Sequence, residues 1–277
     1  MKTIIAPTDF SPISLNAVNY AAEMARSVNA DLTLLHICLM PITTYGEVPI
    51  VVENMGSYMS DAEKRILQLK NNLEKRNDGK VKIDTEVRMA ATVSGELANF
   101  CKSKQPFAVV MGAQGSSAVE RVFFGSNTIN AVKHLAWPVI VVPPEGRFAN
   151  IKKIGLACDL KNVDESVPFS QIRSLVNEFR AELYILHINP EADRGYTAEK
   201  TIESRSLQNM LDDLHPVYRF IDYEDIEGGL EEFATTNKLD LLITIPKHHS
   251  IIDKLFHKSH SKKLVLHTHV PVIAMHD

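Results

Sequence analysis

The sequence predicts an α/β protein built from two similar copies of a domain with a parallel sheet. Three observations lead there. Short apolar runs rich in β-formers alternate with segments of helical period, the pattern of strands joined by crossover helices. The pattern stops at Pro143-Pro144-Glu145-Gly146 and starts again. A constant shift of 133 residues then carries Gly95 to Gly228, Phe100 to Phe233, Phe123 to Phe256 and Pro138 to Pro271 without a gap. Similarity over that length marks a duplicated domain, not a solenoid.

Taken in order, Ile4 to Asp9 reads as a buried strand ending in polar residues. Phe10-Ser11-Pro12 turns the chain, and Leu15 to Val28 has helical period. Asp31 to Ile37 is a second strand, followed by an irregular segment from Leu39 to about Gly56. Asp61 to Arg76 is an amphipathic helix whose charged face, with Glu63, Lys64, Arg65, Lys70, Glu74 and Lys75, reads as solvated. Val81 to Arg88 alternates as a third strand, and Ser94-Gly95-Glu96 opens a helix to about Lys104. Phe107 to Met111 is a fourth strand, Ile129 to Leu135 a helix and Pro138 to Val142 a last strand.

The second copy restarts with Lys153 to Asp159, which echoes Lys2 to Asp9, and Ala181 to Ile188 echoes Ala30 to Ile37. The domains are therefore expected at residues 1–146 and 147–277. The edges of the two last strands, Val139 to Val142 and Val272 to Met275, need cover. Their mutual pairing would pack the copies as an intramolecular pseudo-dimer.

At 277 residues the chain is comfortable for two such domains. A formal charge of −4 gives no electrostatic reason to expect nucleic acid. No apolar run approaches the length that spans a bilayer. The opening Met1-Lys2-Thr3-Ile4-Ile5-Ala6-Pro7 enters a strand pattern directly and has no signal-peptide core. Three cysteines without paired spacing, Cys38, Cys101 and Cys158, favour reduced thiols and a cytoplasmic location.

Chemistry concentrates after the fourth strand, in Met111-Gly112-Ala113-Gln114-Gly115 and Gly125-Ser126-Asn127. A helix start there offers unpaired N–H groups and the positive end of a dipole, which suits phosphate. Glycine lets the backbone approach an anion with no Cβ in the way, and the Ser126 hydroxyl can add a donor. The plain alternative is a strand-to-helix turn with no ligand. The stretch is not a Walker A loop, since no Gly-Lys-Ser/Thr follows, nor a Rossmann fingerprint, which belongs after a first strand.

The spacing Gly-x2-Gly-x9-Gly-Ser resembles the nucleotide-binding signature of the universal stress protein family. Pro7-Thr8-Asp9-Phe10-Ser11, the strand end Leu34-Leu35-His36-Ile37 and Pro138-Val139-Ile140-Val141-Val142 carry the same resemblance. The two copies together look like the family's tandem members. The resemblance implies, for each copy, a five-stranded parallel sheet of adenine-nucleotide α-hydrolase type with helices on both faces. It implies ATP, with magnesium brought by the phosphates, at the carboxyl ends of the strands. Pro7, Thr8, Asp9 and Ile37 would face the base and ribose. Met111, Gly112, Gln114 and Gly115 would lie beside the ribose and phosphates, and Gly125, Ser126 and Asn127 would meet the phosphates. Asn127 stands where many relatives carry valine. The alternative for Asp9 is a helix cap.

The second copy loses this motif. The shift places Ile245 on Gly112, His248 on Gly115 and Lys258 on Gly125, and keeps only Ser126, as Ser259. Pro246 also fixes the loop backbone and removes a donor. One ATP per chain is therefore expected, in the first copy. Seven of 11 histidines lie from His248 to His276, with no recognised ligand spacing, so no metal site is expected. Cys158 reads as a small buried apolar residue, not a nucleophile.

The leading function is an ATP-binding stress or regulatory protein acting through a protein partner or through assembly, with further dimerisation left open. No residue is aimed as a general base at water, so no catalytic residue is assigned. A slow ATPase or autophosphorylating protein, and a module that binds another small ligand or a partner, are the competing classes.

Overall fold

In a computed structural model of the chain, the structure describes residues 2–40, 42–45, 48–51, 55–115, 122–123, 125–190, 198–246 and 270–276. The chain forms two compact units, Met1–Met111 and Gly112–Asp277.

The first unit holds strand β1 (Thr3–Pro7), helix α1 (Pro12–Ser27), β2 (Asp31–Leu39), β3 (Ile42–Tyr45), β4 (Val48–Val51), α2 (Met55–Arg76), β5 (Ile83–Ala90), α3 (Val93–Lys104) and β6 (Ala108–Gly112), the last residue of which opens the second unit. β1 pairs in parallel with β2 and with β6, and β2 in parallel with β5. The order is β6-β1-β2-β5. Ile4, Ile5 and Ala6 are successive and all fully buried, as are Leu32, Leu34 and Leu35 on β2. Neighbours along a strand point to opposite faces, so this sheet is covered on both sides.

Local chemistry sets the helix ends. The Ser11 hydroxyl accepts a hydrogen bond from Ser14 N at the start of α1, and Pro12 takes the first-turn position where no N–H is needed. Thr92 caps α3 by accepting from Gly95 N. The segment expected to be irregular contains the antiparallel pair β3–β4. Ile42-Thr43-Thr44-Tyr45 and Val48-Pro49-Ile50-Val51 supply β-formers, and the pair has two strands only, so Pro49 breaks no central ladder. α2 begins six residues before the expected Asp61. Its charged face is mostly solvated as expected, with Lys64–Asp61 and Lys70–Glu74 ion pairs at 3.3 and 3.6 Å.

The second unit opens with β7 (Gln114–Gly115), β8 (Val122–Phe123), α4 (Ser126–His134) and β9 (Val139–Val142). It continues with β10 (Lys153–Ala157), α5 (Val163–Ser166), α6 (Phe169–Phe179), β11 (Glu182–Pro190), α7 (Ala198–Leu211), a short 3-10 turn (Asp212–Leu214), β12 (Val217–Tyr223), α8 (Ile226–Thr236), β13 (Leu241–Thr244) and β14 (Val272–Ala274). The five strands of the second copy run β12-β11-β10-β13-β14, every neighbouring pair parallel. That is the expected five-stranded sheet, and its first four strands repeat the order of the first unit. α5 and α6 stand where the first copy has the single helix α1; Val167-Pro168 interrupts them, because Pro168 has no N–H to continue a helix.

The last strands of the two copies pair antiparallel, as their edges suggested: Val272 faces Val141, Ile273 faces Ile140 and Ala274 faces Val139. Ile140 and Ile273 are fully buried. Each such side chain gains about 1.5–3 kcal/mol from leaving water, so the pairing hides two edges and adds apolar burial.

Candidate functional site

β1 ends at Pro7, and Thr8 N donates to Leu35 O at 2.9 Å, so the strand end is held against β2. Every polar group of Thr8 has a protein partner. Its carbonyl accepts from His36 Nδ1 at 2.7 Å, which fixes the proton on that nitrogen, since a carbonyl can only accept. Its hydroxyl accepts from Phe10 N at 3.0 Å and shares a hydrogen bond with the Ser14 hydroxyl at 3.0 Å. Thr8 is therefore a structural corner.

Asp9 is exposed, and its Oδ1 accepts from Ser11 N at 2.9 Å. The helix cap is Ser11, so the capping alternative for Asp9 does not apply. Burial raises the Asp9 carboxyl, while hydrogen bonds from the Ser11 hydroxyl and N–H and from Ser14 lower it further, leaving it below the ordinary carboxylate value. The group is an anion and an acceptor at neutral pH.

Phe10, between them, has φ 64, an uncommon conformation for a bulky residue. Its ring lies 4.6 Å from the His36 ring, centroid to centroid, and the Arg65 guanidinium carbon lies 4.2 Å from the Phe10 centroid. Arg65, expected only as part of a solvated face, thus reaches from α2 to cover the turn, at cation–π distance. Ile37, nearly buried, follows on β2. β6 pairs with β1 in the register Ile5 to Val109 and carries buried Met111 toward the same end. The first unit thus gathers Pro7, Thr8, Asp9, Ile37 and Met111 at the carboxyl ends of adjacent strands.

The second unit gathers the rest. Gln114 and Gly115 pair antiparallel with Phe123 and Val122, which brings the chain back to Gly125. Gly125 is the N-cap of α4, with φ −61 and ψ 150. That φ is open to any residue, so glycine is not required for conformation; what it contributes is the absence of a side chain before the first-turn N–H groups. Ser126 and Asn127 follow in the first turn, both exposed. Buried Thr128 donates from its hydroxyl to Gly112 O at 3.2 Å. This bond ties the helix start to the strand end, a link that spacing alone did not reveal.

The equivalent places in the second copy differ. Ile245 is buried where the first copy has Gly112, and Pro246 follows it. His248, Lys258 and Ser259 lie outside the described residues, as do all the histidines from His248 to His269. Asp159 Oδ1 accepts from Lys161 N at 3.2 Å, and Cys158 O accepts from His187 Nδ1 at 2.9 Å. Cys158 is buried, as expected of a small apolar residue. Burial, with the nearby Cys158 and Asp212, pushes the Tyr218 phenol up to about 12. Among the described residues no group of His, Cys, Asp and Glu is placed to hold a metal ion, and no helix is long and apolar enough to cross a membrane. All three cysteines are free, and burial pushes the Cys101 thiol up to about 12.

The sequence model of the universal stress protein family matches residues 1–143. The chain belongs to the universal stress protein family. It is 26% identical over 145 residues to a universal stress protein of Methanocaldococcus jannaschii, covering 51% of this chain and 81% of that one. It is 27% identical over 138 residues to universal stress protein A homolog 1 of Coxiella burnetii, covering 49% and 90%. A universal stress protein from Archaeoglobus fulgidus superposes over 99% of this chain and 98% of its own, with TM-score 0.71 and 13% identity. A protein described as a putative universal stress protein from Pseudomonas aeruginosa covers 99% and 93%, with TM-score 0.59 and 12% identity. The likeness to these two structures is one of fold, and it extends over both copies of this tandem universal stress protein.

Proposed function

We propose that this universal stress protein binds one ATP per chain and acts in the cytoplasm by changing its binding of a protein partner or its assembly when the nucleotide is present. The domains of the proposal are residues 1–146, with the working motif, and 147–277, with the eroded one. One observation carries the reading. In the first copy a glycine, Gly125, caps α4 and sets no side chain before the first-turn N–H groups, while in the second copy a buried Ile245 and Pro246 replace the glycine-bearing strand exit.

In this reading Pro7, Thr8, Asp9 and Ile37 take the base and ribose. Asp9, an anion, must sit away from the phosphates and accept hydrogen bonds from the sugar or base. Met111, Gly112, Gln114 and Gly115 border the ribose and phosphates. Gly125, Ser126 and Asn127 meet the phosphates through N–H groups and the positive end of the α4 dipole. Magnesium arrives with the phosphates, which suits an ion that keeps much of its water. The three free cysteines support a reducing location. Hydrolysis is not part of the proposal.

The test is to denature protein purified without added nucleotide and identify what is released. Adenine nucleotide near one equivalent per chain is expected. Its absence, together with no uptake of added Mg-ATP, would contradict the reading.

A further inference from the structure

Helix α4 is held at both ends. At its start, the Thr128 hydroxyl donates to Gly112 O. At its other end, Leu135 N donates to Ala131 O, so Val132 O is the next carbonyl in line and falls beyond the last helical hydrogen bond. Such a carbonyl needs a donor from elsewhere. His276, two residues beyond β14, supplies it: His276 Nε2 lies 2.7 Å from Val132 O, across 144 positions of sequence. Since a carbonyl only accepts, Nε2 carries the proton and donates. His276 is held in turn by Gln171 on α6, whose Nε2 donates to His276 O at 2.9 Å.

The shift that aligns the copies sets Pro143 at the place of His276, and a proline side chain has no donor. The second copy therefore supplies a side-chain donor to α4 of the first, and Val265, the counterpart of Val132, lies outside the described residues.

We infer that His276 is a positioning residue for the phosphate-binding end of α4, an inference that rests on the proposed ATP site. A nine-residue helix is close to a rigid rod. Fixing its far end against β14 fixes the direction in which the N–H groups of Gly125, Ser126 and Asn127 point. Phosphate recognition depends on that direction, because charge-assisted hydrogen bonds weaken steeply with misalignment. The eroded copy is thereby kept as a clamp for the working one.

The test uses the full chain with His276→Leu, which removes the donor, and His276→Gln, whose Nε2 lies the same number of bonds from Cα and restores it. Calorimetry with Mg-ATP and hydrogen exchange of the amides from Ser126 to Leu135 in nucleotide-free protein are the two readouts. His276→Leu is expected to weaken ATP about five- to tenfold and to speed exchange in α4 by a similar factor, from the loss of one ordinary hydrogen bond. His276→Gln is expected to stay within about twofold of wild type on both. Gln171→Leu should move both readouts in the same direction as His276→Leu, and it provides the test if that variant folds poorly. Unchanged affinity and exchange in His276→Leu, or equal losses in the leucine and glutamine variants, would overturn the inference and leave the site standing. A wild-type chain that takes up no ATP would overturn the site and the inference with it.

Discussion

After β1, Phe10 sits at φ 64 and Asp9 Oδ1 accepts from Ser11 N; after β10, Leu160 sits at φ 52 and Asp159 Oδ1 accepts from Lys161 N. The histidine that follows on the second strand of each copy, His36 or His187, donates its Nδ1 proton to the carbonyl of Thr8 or Cys158. Two turns whose sequences share only the aspartate thus have one construction. After β6 and β13 the copies part: one has Gly112 and a glycine-capped α4, the other Ile245 and Pro246. The comparison teaches where to look for function. The aspartate turn belongs to the fold, since it survives where the glycine loop is gone, and Asp9 alone would be poor grounds for a nucleotide site. The glycine loop is the feature that differs, and ligand binding should follow it.

The sharpest way to break this comparison is to give the first copy the loop of the second. Gly115→His with Gly125→Lys should weaken ATP more than about a hundredfold, by holding phosphate off N–H groups whose charge-assisted bonds are about twice as strong as neutral ones. Far-ultraviolet circular dichroism should stay near wild type, because α4 begins after Gly125 and its remaining ties are untouched. Calorimetry on the folded variant decides it; retained affinity would show that the glycines do not distinguish the copies.

A smaller effect is expected where the copies agree. Thr8→Val removes the hydroxyl that accepts from Phe10 N and bonds Ser14. It should cost about 1 kcal/mol of unfolding free energy, read by denaturant titration. Cys158 holds the same place without a hydroxyl, so the turn should survive the change. A loss of several kcal/mol would mean that the Phe10 conformation depends on Thr8, and that the two turns are built differently after all.

Much of this was legible in the sequence. Apolar strands alternating with helical period gave the order of elements, because a sheet covered on both faces demands continuous apolar runs such as Ile4 to Ala6. The glycine spacing and the loss of Gly112 as Ile245 located the difference between the copies. Less was legible wherever the deciding contact is distant. Arg65 lies 55 positions from Phe10, and nothing in the amphipathic pattern of α2 marks one arginine as covering a turn. The His276–Val132 bond spans 144 positions, and an isolated histidine near the end of a histidine-rich stretch gives no sign of its partner. The pattern predicts a later start for α2 because Gly56, a poor helix former, stands inside its first turn.

The central claim is that one copy binds nucleotide and the other does not, and the stoichiometry of Mg-ATP on the intact chain measures it most directly. Calorimetric titration of nucleotide-free protein should fit one site per chain, and the Gly115→His, Gly125→Lys variant should show none. Two equivalent sites in the wild type, or one site that persists in the variant, would contradict the account.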